Sequence, residues 1–512
     1  MIKYTDLEYL RLTKPQRAAY KLKSGVCSVP GKLCNALNGI GRGIKGAGKA
    51  IFDEISDIIT TFINGDYKTR LSYLVMGFGN IARGQIGRGI LFLLFEAVFV
   101  VYMALYGGYW LGMLVSLGLQ GREEVVTKGA FGRGATSYVY HDDSFKILLY
   151  GVLTIFFIIA FIYTWRLNIK QNKIAQRILK SGKKLKSGKD DLRSLVDDQF
   201  HKTLLALPLT GIVVFTVLPI VFMILVAFTN YGGANDGRVN LFTWVGLDNF
   251  NTMLSWSNGT TSYAATFGEV LGWTLIWAFF ATFTNYFLGM LVAMAINKKG
   301  IRFKKGWRTV LVLTIAIPQF ISLLYVSKMF AKDGLINLTL MELGIIDLDH
   351  VLPFWTDPTW ARITVIVINI WIGIPYLMLI TTGILMNIPA DLYESARIDG
   401  ASGWQQYTKI TLPYMLFVTG PYLLTSFTGN MNNFNVIYLL TGGAPTNNTS
   451  TAPGTVGYTD LLITWLFKIT QGAEAKYYLA SVVGILVFIV VAVISLVVYN
   501  LLPSVKNEED FQ

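Results

Sequence analysis

The sequence contains few charged residues for its length. Only 15% of its 512 residues are charged and 53% are hydrophobic, whereas a soluble domain carries about 25% charged residues. The mean hydropathy is +0.49. Mostly apolar stretches of roughly 18 residues or more, each long enough to span a bilayer, recur along the chain. These features exclude a soluble globular fold and predict an all-α polytopic membrane protein.

Residue types that bind metals or perform catalysis are also scarce. The two cysteines, Cys27 and Cys34, have no histidine beside them, and the three histidines are far apart in sequence (His141, His201 and His350). Two thiols without nearby histidines do not make a zinc site. The pattern suggests no Ser/His/Asp arrangement either. We therefore expect neither a catalytic residue nor a metal ligand in this chain.

The apolar segments number eight, and this even number predicts that both termini lie on one side of the membrane. They cover residues 91–119, 147–165, 204–229, 269–297, 308–330, 361–387, 414–441 and 477–502. The connections 166–203 and 298–308 hold 11 and six Lys/Arg, whereas 230–268 and 331–360 hold one each. The positive-inside rule therefore predicts cytoplasmic termini and about eight transmembrane helices. The net charge of +13 is explained by this topology and by anionic lipid rather than by nucleic acid.

The N-terminal region is basic, with 14 Lys/Arg in residues 1–90 and no signal-peptide pattern. One helical face would collect Ile51, Ile55, Ile58, Ile59 and Phe62, which indicates a helix lying on the membrane surface. A mobile basic tail is the alternative. The predicted organisation is a cytoplasmic or interfacial region 1–90, two additional membrane helices and a basic linker over 91–203, a six-helix transport core over 204–502, and a cytoplasmic tail over 503–512.

One short segment imitates an ATP-binding motif. Residues 43–49 match the first seven positions of a phosphate-binding P-loop, but Ala50 stands where that loop has its Mg²⁺-holding Ser/Thr. No apolar strand precedes the segment either. We therefore expect this chain to bind no cofactor of its own.

A polar insert of 20 residues separates the sixth and seventh apolar segments. Its characteristic positions are Glu394, Ser395, Ala396, Gly400, Ile410, Leu412 and Pro413. Their spacing resembles the EAA coupling loop of ABC importer permeases, with Ser395 as the one departure, and the resemblance implies contact with an ATPase. Gly400 would permit a sharp turn between two short helices, and Pro413 would open the next helix. An ordinary cytoplasmic loop is the alternative.

Polar residues lie well inside the two apolar segments that flank this insert. They form two sets with the same i, i+4, i+7 spacing, namely Asn369, Gly373 and Tyr376, then Ser426, Asn430 and Asn433. Each set is predicted to occupy one helical face. Gly373 and Pro375 are expected to interrupt their helix, as in helices that form binding sites. None of the six is charged and amides both donate and accept hydrogen bonds, so the pattern favours an uncharged, hydroxyl-rich solute. Interhelical hydrogen bonding is the alternative.

From about Leu204 to Leu502 the sequence resembles the larger (MalF-type) permease subunit of bacterial maltose/maltodextrin ABC importers. The likeness is strongest in residues 388–401, 409–413, 432–445 and 457–462. It implies that the two polar sets surround a bound oligosaccharide. It also implies a second permease subunit, two ATPase subunits that bind ATP and Mg²⁺, and an extracytoplasmic solute-binding protein. Gly429 stands where the best-known member has an aromatic residue, which leaves the exact sugar open.

Other functions stay open from the sequence. An importer of another neutral oligosaccharide, such as a galacto- or arabino-oligosaccharide, fits the same pattern. A secondary transporter would use ionisable residues within the spans, and the candidates all lie near span ends (Glu96, Glu269 and Lys328). A membrane glycosyltransferase or hydrolase would need paired carboxylates. Asp142 and Asp143 are such a pair, but a solvated turn explains them more simply.

The predicted topology is testable by cysteine labelling in a variant that lacks Cys27 and Cys34. Single cysteines at Lys184 and Gln405 should react with a membrane-impermeant maleimide only after the cytoplasmic side is opened, because both lie in connections predicted to be inside. A cysteine at Asn448 should react in intact cells. Labelling of Gln405 in intact cells would contradict the topology.

Overall fold

The computed structural model describes residues 46, 48–128, 134–185, 190, 193–194, 196–255, 262–298, 300–450, 452 and 454–501. Both cysteines, the basic region before residue 46 and the predicted tail 503–512 lie outside these residues. The P-loop-like segment 43–49 lies partly outside them. The regular secondary structure of the described residues is helical apart from one β-hairpin and two isolated bridges, and this confirms the all-α prediction.

The chain divides into two compact units, the first formed by residues 1–109 and 153–210. Its described elements are α1 (48–63), α2 (Tyr67–Leu71), α3 (Phe78–Ile81), most of α4 (Ile86–Met113), the later part of α5 (Ser144–Lys180) and the start of α6 (Phe200–Val226). The helix predicted around Ile51 to Phe62 is therefore α1; its position on a membrane stays a prediction.

A buried polar cluster joins the short helices of this unit to α5. The Arg83 guanidinium contacts Asp66 Oδ1 at 2.5 Å and Asn172 Oδ1 at 2.6 Å. Burial alone would raise the pKa of the Asp66 carboxyl, but hydrogen bonds from Thr69 and Arg83 outweigh it and hold that pKa below its ordinary value. Charge and hydrogen bonding thus fix the chain between α1 and α4 against α5.

The second unit consists of residues 110–152 and 211–512. Residues 110–152, which the sequence analysis groups with the N-terminal part, thus pack with the transport core. They include the antiparallel hairpin of β1 (Arg122–Lys128) and β2 (Gly134–Tyr140). The helices that follow are α7 (Asp248–Leu254), α8 (Tyr263–Asn297), α9 (Lys304–Ala316), α10 (Gln319–Met329), α11 (Leu335–Glu342), α12 (Pro358–Leu385), α13 (Ala390–Ile398), α14 (Gly403–Met431), α15 (Phe434–Leu440), α16 (Leu462–Ile469) and α17 (Tyr477–Leu501), with a 3-10 turn at Leu348–His350.

Seven described helices are long and apolar enough to cross a membrane, or eight if α9 and α10 count as one bent span. Four of the long helices each contain a π-helical turn, at Met103–Gly107, Val213–Val217, Phe280–Thr284 and Tyr407–Thr411. Such turns shift the side-chain register within a helix and are frequent at functional sites.

The predicted span 308–330 is wrong in shape. It is broken into α9 and α10, whose axes differ by 90°. Ile317 and Pro318 are extended between them. Proline lacks an N–H and excludes the helical conformation from the residue before it, so Pro318 accounts for the break.

The predicted span 414–441 is also wrong, because its helix starts earlier and stops sooner. α14 begins at Gly403 and ends at Met431, and the separate α15 begins at Phe434. Pro413 lies in the first turn of the α-helical segment Leu412–Met431, as expected, but this segment continues, through a π-helical turn, a helix that already begins at Gly403. The helix does not continue through Asn433. The side chain of Asn433 accepts the Val436 N–H at 3.3 Å and caps the new helix α15.

The expected interruption at Gly373 and Pro375 does not occur. α12 is continuous from Pro358 to Leu385, with Pro375 buried inside it. Membrane helices tolerate such prolines where neighbouring helices cover the freed carbonyl. The breaks near the transport core thus occur at Pro318 and at Asn432–Asn433 instead.

Candidate functional site

Three helices of the second unit, α8, α12 and α14, bring most of the predicted polar residues into one region. Tyr286 of α8, Leu377 of α12 and Leu423 of α14 form a buried cluster. The Thr419 hydroxyl of α14 donates to the Tyr286 hydroxyl at 2.8 Å. These contacts hold the three helices together beside the polar residues that follow.

Asn369 and Gly373 lie on the side of α12 that packs against α8. Asn369 is only 6% exposed. A Cβ on Gly373 would stand 2.3 Å from Asn285 Nδ2 of α8, so a larger residue there would separate the helices. Gly373 is therefore a close-approach position, whereas Tyr376, one turn further along, is exposed.

Two buried amide atoms of this region have no hydrogen-bond partner among the described residues. They are Asn369 Nδ2, a donor, and Asn285 Oδ1, an acceptor. The Asn285 Nδ2 atom donates within its own helix to the Ala281 carbonyl at 2.8 Å. Leaving a buried polar group unpaired costs about 1–3 kcal/mol. Both atoms are fully buried, so a ligand hydroxyl or a water would reach them only after the helices move apart.

Asn430, near the end of α14, is bound to α8 through both its side chain and its backbone. Its Nδ2 donates to Thr282 Oγ1 at 3.0 Å, and its carbonyl accepts from Trp277 Nε1 at 3.1 Å. Asn433 Nδ2 donates to Asn430 Oδ1 at 3.4 Å. The two asparagines are therefore adjacent, but Asn433 lies beyond the end of α14, so the prediction that they share a helical face is wrong.

Ser426 lies one turn before Asn430, within reach of the Tyr422 hydroxyl, and Tyr422 also interacts with Tyr376 of α12. Tyr376 and Ser426 are therefore both close to Tyr422. Gly429 is exposed, and no atom lies within 4 Å of the place where its Cβ would be. Open space therefore lies beside Gly429.

The chemistry of the region is neutral and rich in hydrogen-bonding groups. Amides offer donors and acceptors together, hydroxyls do the same, and the exposed Tyr376 ring presents an apolar face. This set matches a solute with many hydroxyl groups and no charge. No three His, Cys, Asp or Glu side chains in the described parts of the chain are grouped so that they could hold a metal ion.

Helix α8 contributes residues to this region that were not predicted from the sequence. Trp277, Thr282 and Asn285 contact or adjoin the predicted residues. Thr282 and Asn285 are polar residues inside an apolar segment, which is the same signal that singled out Asn369 and Asn430. Their spacing concealed them, because the π-helical turn Phe280–Thr284 disturbs the regular α-helical periodicity.

The insert between α12 and α14 folds as a short helix, a tight turn and the start of a second helix. Gly400 has φ +76°, donates its N–H to the Arg397 carbonyl at 3.0 Å, and is followed by Ala401, whose N–H reaches the Ala396 carbonyl at 2.8 Å. This pair of bonds is a Schellman motif, which needs a left-handed residue and favours glycine. The predicted turn at Gly400 is present.

The second half of the insert is fixed by a capping box. Ser402 Oγ accepts the Gln405 N–H at 3.3 Å, and Gln405 Oε1 accepts the Ser402 N–H at 2.7 Å. The Tyr393 and Thr411 hydroxyls, 2.8 Å apart, connect α13 to α14. The turn is therefore held by its own hydrogen bonds.

Many side chains of the insert are exposed. Its characteristic residues Glu394 and Ser395 are exposed and Ala396 is half-buried; Ile410, Leu412 and Pro413 continue into α14. The apolar side chains of Ile398 and Trp404 are 87% and 72% exposed. Exposed apolar groups beside charged ones on a rigid turn are typical of a protein contact surface.

Comparison with known proteins gives a consistent picture. A family model described as "Binding-protein-dependent transport system inner membrane component" matches residues 285–507. The maltodextrin transport system permease protein MalC of Streptococcus pneumoniae is 33% identical over 86% of this chain and 97% of that protein. MdxF of Bacillus subtilis, a maltodextrin transport system permease protein, is 32% identical over 86% and 97%.

Two further similar proteins are named for other sugars. The galactooligosaccharides transport system permease protein GanP of Bacillus subtilis is 31% identical over 85% of this chain and 97% of that protein. A chain from the crystal structure of a bacterial alginate ABC transporter, in complex with an alginate pentasaccharide-bound periplasmic protein, is 21% identical. It covers 62% of this chain and 98% of its own length, with a TM-score of 0.49.

The turn geometry makes a prediction for two substitutions at Gly400. Gly400→Pro should loosen the insert, because proline cannot adopt a φ of +76° and has no N–H for the Arg397 carbonyl. Gly400→Ala keeps that N–H and should cost only about 1–2 kcal/mol for the left-handed conformation. Hydrogen–deuterium exchange of residues 390–411 in nanodiscs should be fastest in Gly400→Pro and intermediate in Gly400→Ala. Exchange as slow as that of the wild type in both variants would contradict the described turn.

Proposed function

Because this chain belongs to the family of binding-protein-dependent transport system inner membrane components, we propose that it is the permease subunit of an ABC importer for maltodextrin-type oligosaccharides. It is a multi-pass membrane subunit that conducts the solute rather than reacting with it. Hydrolysis of ATP with Mg²⁺ takes place on partner subunits. The relatives with maltodextrin in their names support the choice of sugar.

The observation that carries this proposal is the uncharged polar cluster with unpaired buried amides between α8, α12 and α14. Asn369 Nδ2 and Asn285 Oδ1 lack partners among the described residues, and sugar hydroxyls supply both a donor and an acceptor. The proposed solute-binding residues are the six identified in the sequence together with two from α8, namely Asn369, Gly373, Tyr376, Ser426, Asn430, Asn433, Thr282 and Asn285.

Each residue type has a distinct role in this site. The asparagines and hydroxyls bind the sugar's hydroxyl groups, and Tyr376 offers a ring for its apolar C–H face. Gly373 allows α8 to approach α12. The open space beside Gly429 accommodates sugar units beyond those held by the amides.

The exposed insert from Glu394 to Pro413 is the proposed contact with the ATPase. Its two halves are braced by the Schellman motif and the capping box, so force applied there passes into α12 and α14 instead of deforming the turn. Two ATPase subunits, a second permease subunit and an extracytoplasmic solute-binding protein complete the proposed assembly. Both termini and the basic linker lie in the cytoplasm in this proposal, and residues 204–502 form the transport core, against which residues 110–152 also pack.

An importer of a galacto-oligosaccharide is the second candidate, because a relative named for that sugar is similar to nearly the same extent. Ion-coupled transport has less support. The Glu96 carboxylate accepts the Met76 N–H at 2.7 Å, and Glu269 lies 4.0 Å from Arg362 and accepts from Asn447 at 3.2 Å. Carboxylates engaged in this way are poorly placed to bind a coupling ion.

The proposal is tested by comparing Asn430→Ala with Asn432→Ala. Asn432 is an exposed neighbour whose side chain bonds to its own helix, at the Thr428 carbonyl, so it serves as a matched control. A neutral hydrogen bond contributes about 0.5–1.5 kcal/mol, so Asn430→Ala should weaken maltodextrin retention by the assembled complex roughly threefold to tenfold. Asn432→Ala should leave it unchanged.

The measurement is binding of radiolabelled maltotriose to the purified assembly, together with the thermal stabilisation that the sugar produces. Loading of the separate binding protein is the control for sugar quality. If Asn430→Ala lowers thermal stability without sugar but retains sugar as the wild type does, Asn430 is only an interhelical contact and the proposed site is wrong.

A further inference from the structure

Helix α1 of the first unit has three faces of different character. An apolar stripe contains Ile51, Phe52, Ile55, Ile59 and Ile63, all between 51% and 71% exposed. At about 100° per residue these five positions fall within an arc of about 120°. A second face carries the exposed polar residues Asp53, Ser56 and Thr60. An exposed apolar stripe beside an exposed polar face is the pattern of a helix that lies between lipid and water.

The third face of α1 is fastened to α5 by charge. Glu54 forms an ion pair with Arg166, and Asp57 forms one with Lys173. The Tyr73 hydroxyl also donates to the Ile58 carbonyl at 2.7 Å. Glu54 and Asp57 therefore point toward α5, while the residues of the apolar stripe point away from it. This is the reverse of a helix whose apolar face packs on its own fold.

The C-terminal end of α1 is also held, by hydrogen bonds and by contacts between aromatic rings. Arg70 donates to the carbonyls of Phe62 and Ile63 at 3.1 Å and 2.7 Å, and a cation at a helix C-terminus also interacts favourably with the helix dipole. The Tyr73 ring packs edge-on against Phe62 and Trp165 at centroid distances of 5.1 Å and 5.7 Å. The helix thus has a fixed orientation.

The contacts with α5 also indicate the depth in the membrane at which α1 lies. In α5 the residues from Ile147 to Trp165 carry no charge, and Arg166 is the first cation after them. A bilayer core of about 30 Å is spanned by roughly 20 helical residues, so Arg166 leaves the hydrocarbon at the headgroup level. Trp165, whose Nε1 donates to the Tyr73 carbonyl at 3.0 Å, is a residue type enriched at that level.

We propose that α1 lies in the plane of the membrane surface, with its apolar stripe inserted between lipid chains and its polar face in water. The occupant of the stripe is the anionic lipid surface, because α1 and the elements that contact it carry many basic side chains. They are Lys49 on α1, Lys68 and Arg70 on α2, and Lys170, Arg177 and Lys180 on α5. Such cations attract anionic headgroups within a Debye length. The helix therefore anchors the first unit at the surface, and this conclusion does not depend on which solute is transported.

The test places an environment-sensitive fluorophore on single cysteines at Ile55 or Thr60, in full-length protein whose Cys27 and Cys34 are replaced by serine. The protein is reconstituted in vesicles of phosphatidylcholine and phosphatidylglycerol. Brominated lipid should quench the Ile55 label several-fold more than the Thr60 label, and aqueous iodide should quench in the opposite order. Equal quenching at both positions, or iodide reaching Ile55 more readily, would overturn the proposal.

The same labels distinguish lipid from a protein that covers the stripe. Measured with the chain alone and with a complete transporter assembly, lipid quenching at Ile55 should be unchanged. Loss of lipid quenching only in the assembly would show that another subunit occupies the stripe, and the proposal would be wrong.

The ion pair with α5 provides a second, independent test. Glu54→Lys places a second cation against Arg166. It should therefore reduce the difference in lipid quenching between the Ile55 and Thr60 labels. Adding Arg166→Glu should restore the difference. Asp53→Lys, on the exposed polar face, is the matched control and should leave the difference intact. If Glu54→Lys behaves as Asp53→Lys does, the ion pair does not orient the helix.

Discussion

Every backbone polar group inside a bilayer must find its partner within the protein, and this constraint governs the architecture described above. Continuous helices satisfy it automatically. The chain departs from continuity near the transport core at Pro318 and at Asn432–Asn433, and in the second case a side-chain cap replaces the missing helical bond. The break at Asn433 adjoins the uncharged polar cluster, and the amides of Asn430 and Asn433 pair with each other and with α8 and α15 there.

The helices α12 and α14 connect the uncharged polar cluster to the insert that lies between them in sequence. α12 runs without interruption from Asn369 to Leu385, and α14 runs from Gly403 to Asn430, a length of about 40 Å at 1.5 Å per residue. Tyr393 and Thr411 also join α13 to α14 within the insert. The candidate site and the insert are therefore connected through continuous helices of the second unit.

The sequence predicts the apolar segments, the turn at Gly400 and the polar residues of α12 and α14, because hydropathy, glycine chemistry and buried amides are local signals. It does not predict the hairpin before α5, since its strands carry no long apolar run. Proline at 375 and proline at 318 have opposite consequences, and only the neighbouring helices decide which carbonyl is covered. The part played by Thr282 was hidden because a π-helical turn shifts the helical periodicity.

The central claim is that an uncharged cluster between α8, α12 and α14 holds a neutral, hydroxyl-rich solute. The most direct measurement is retention of radiolabelled oligosaccharides by the purified permease assembly, without the binding protein, for a neutral maltooligosaccharide and an acidic oligosaccharide of equal length. The account predicts retention of the neutral sugar, lost when Asn369 is replaced by leucine, and no retention of the acidic one. Equal retention of both sugars would contradict the account. Retention of the neutral sugar that is unchanged in Asn369→Leu would also contradict it.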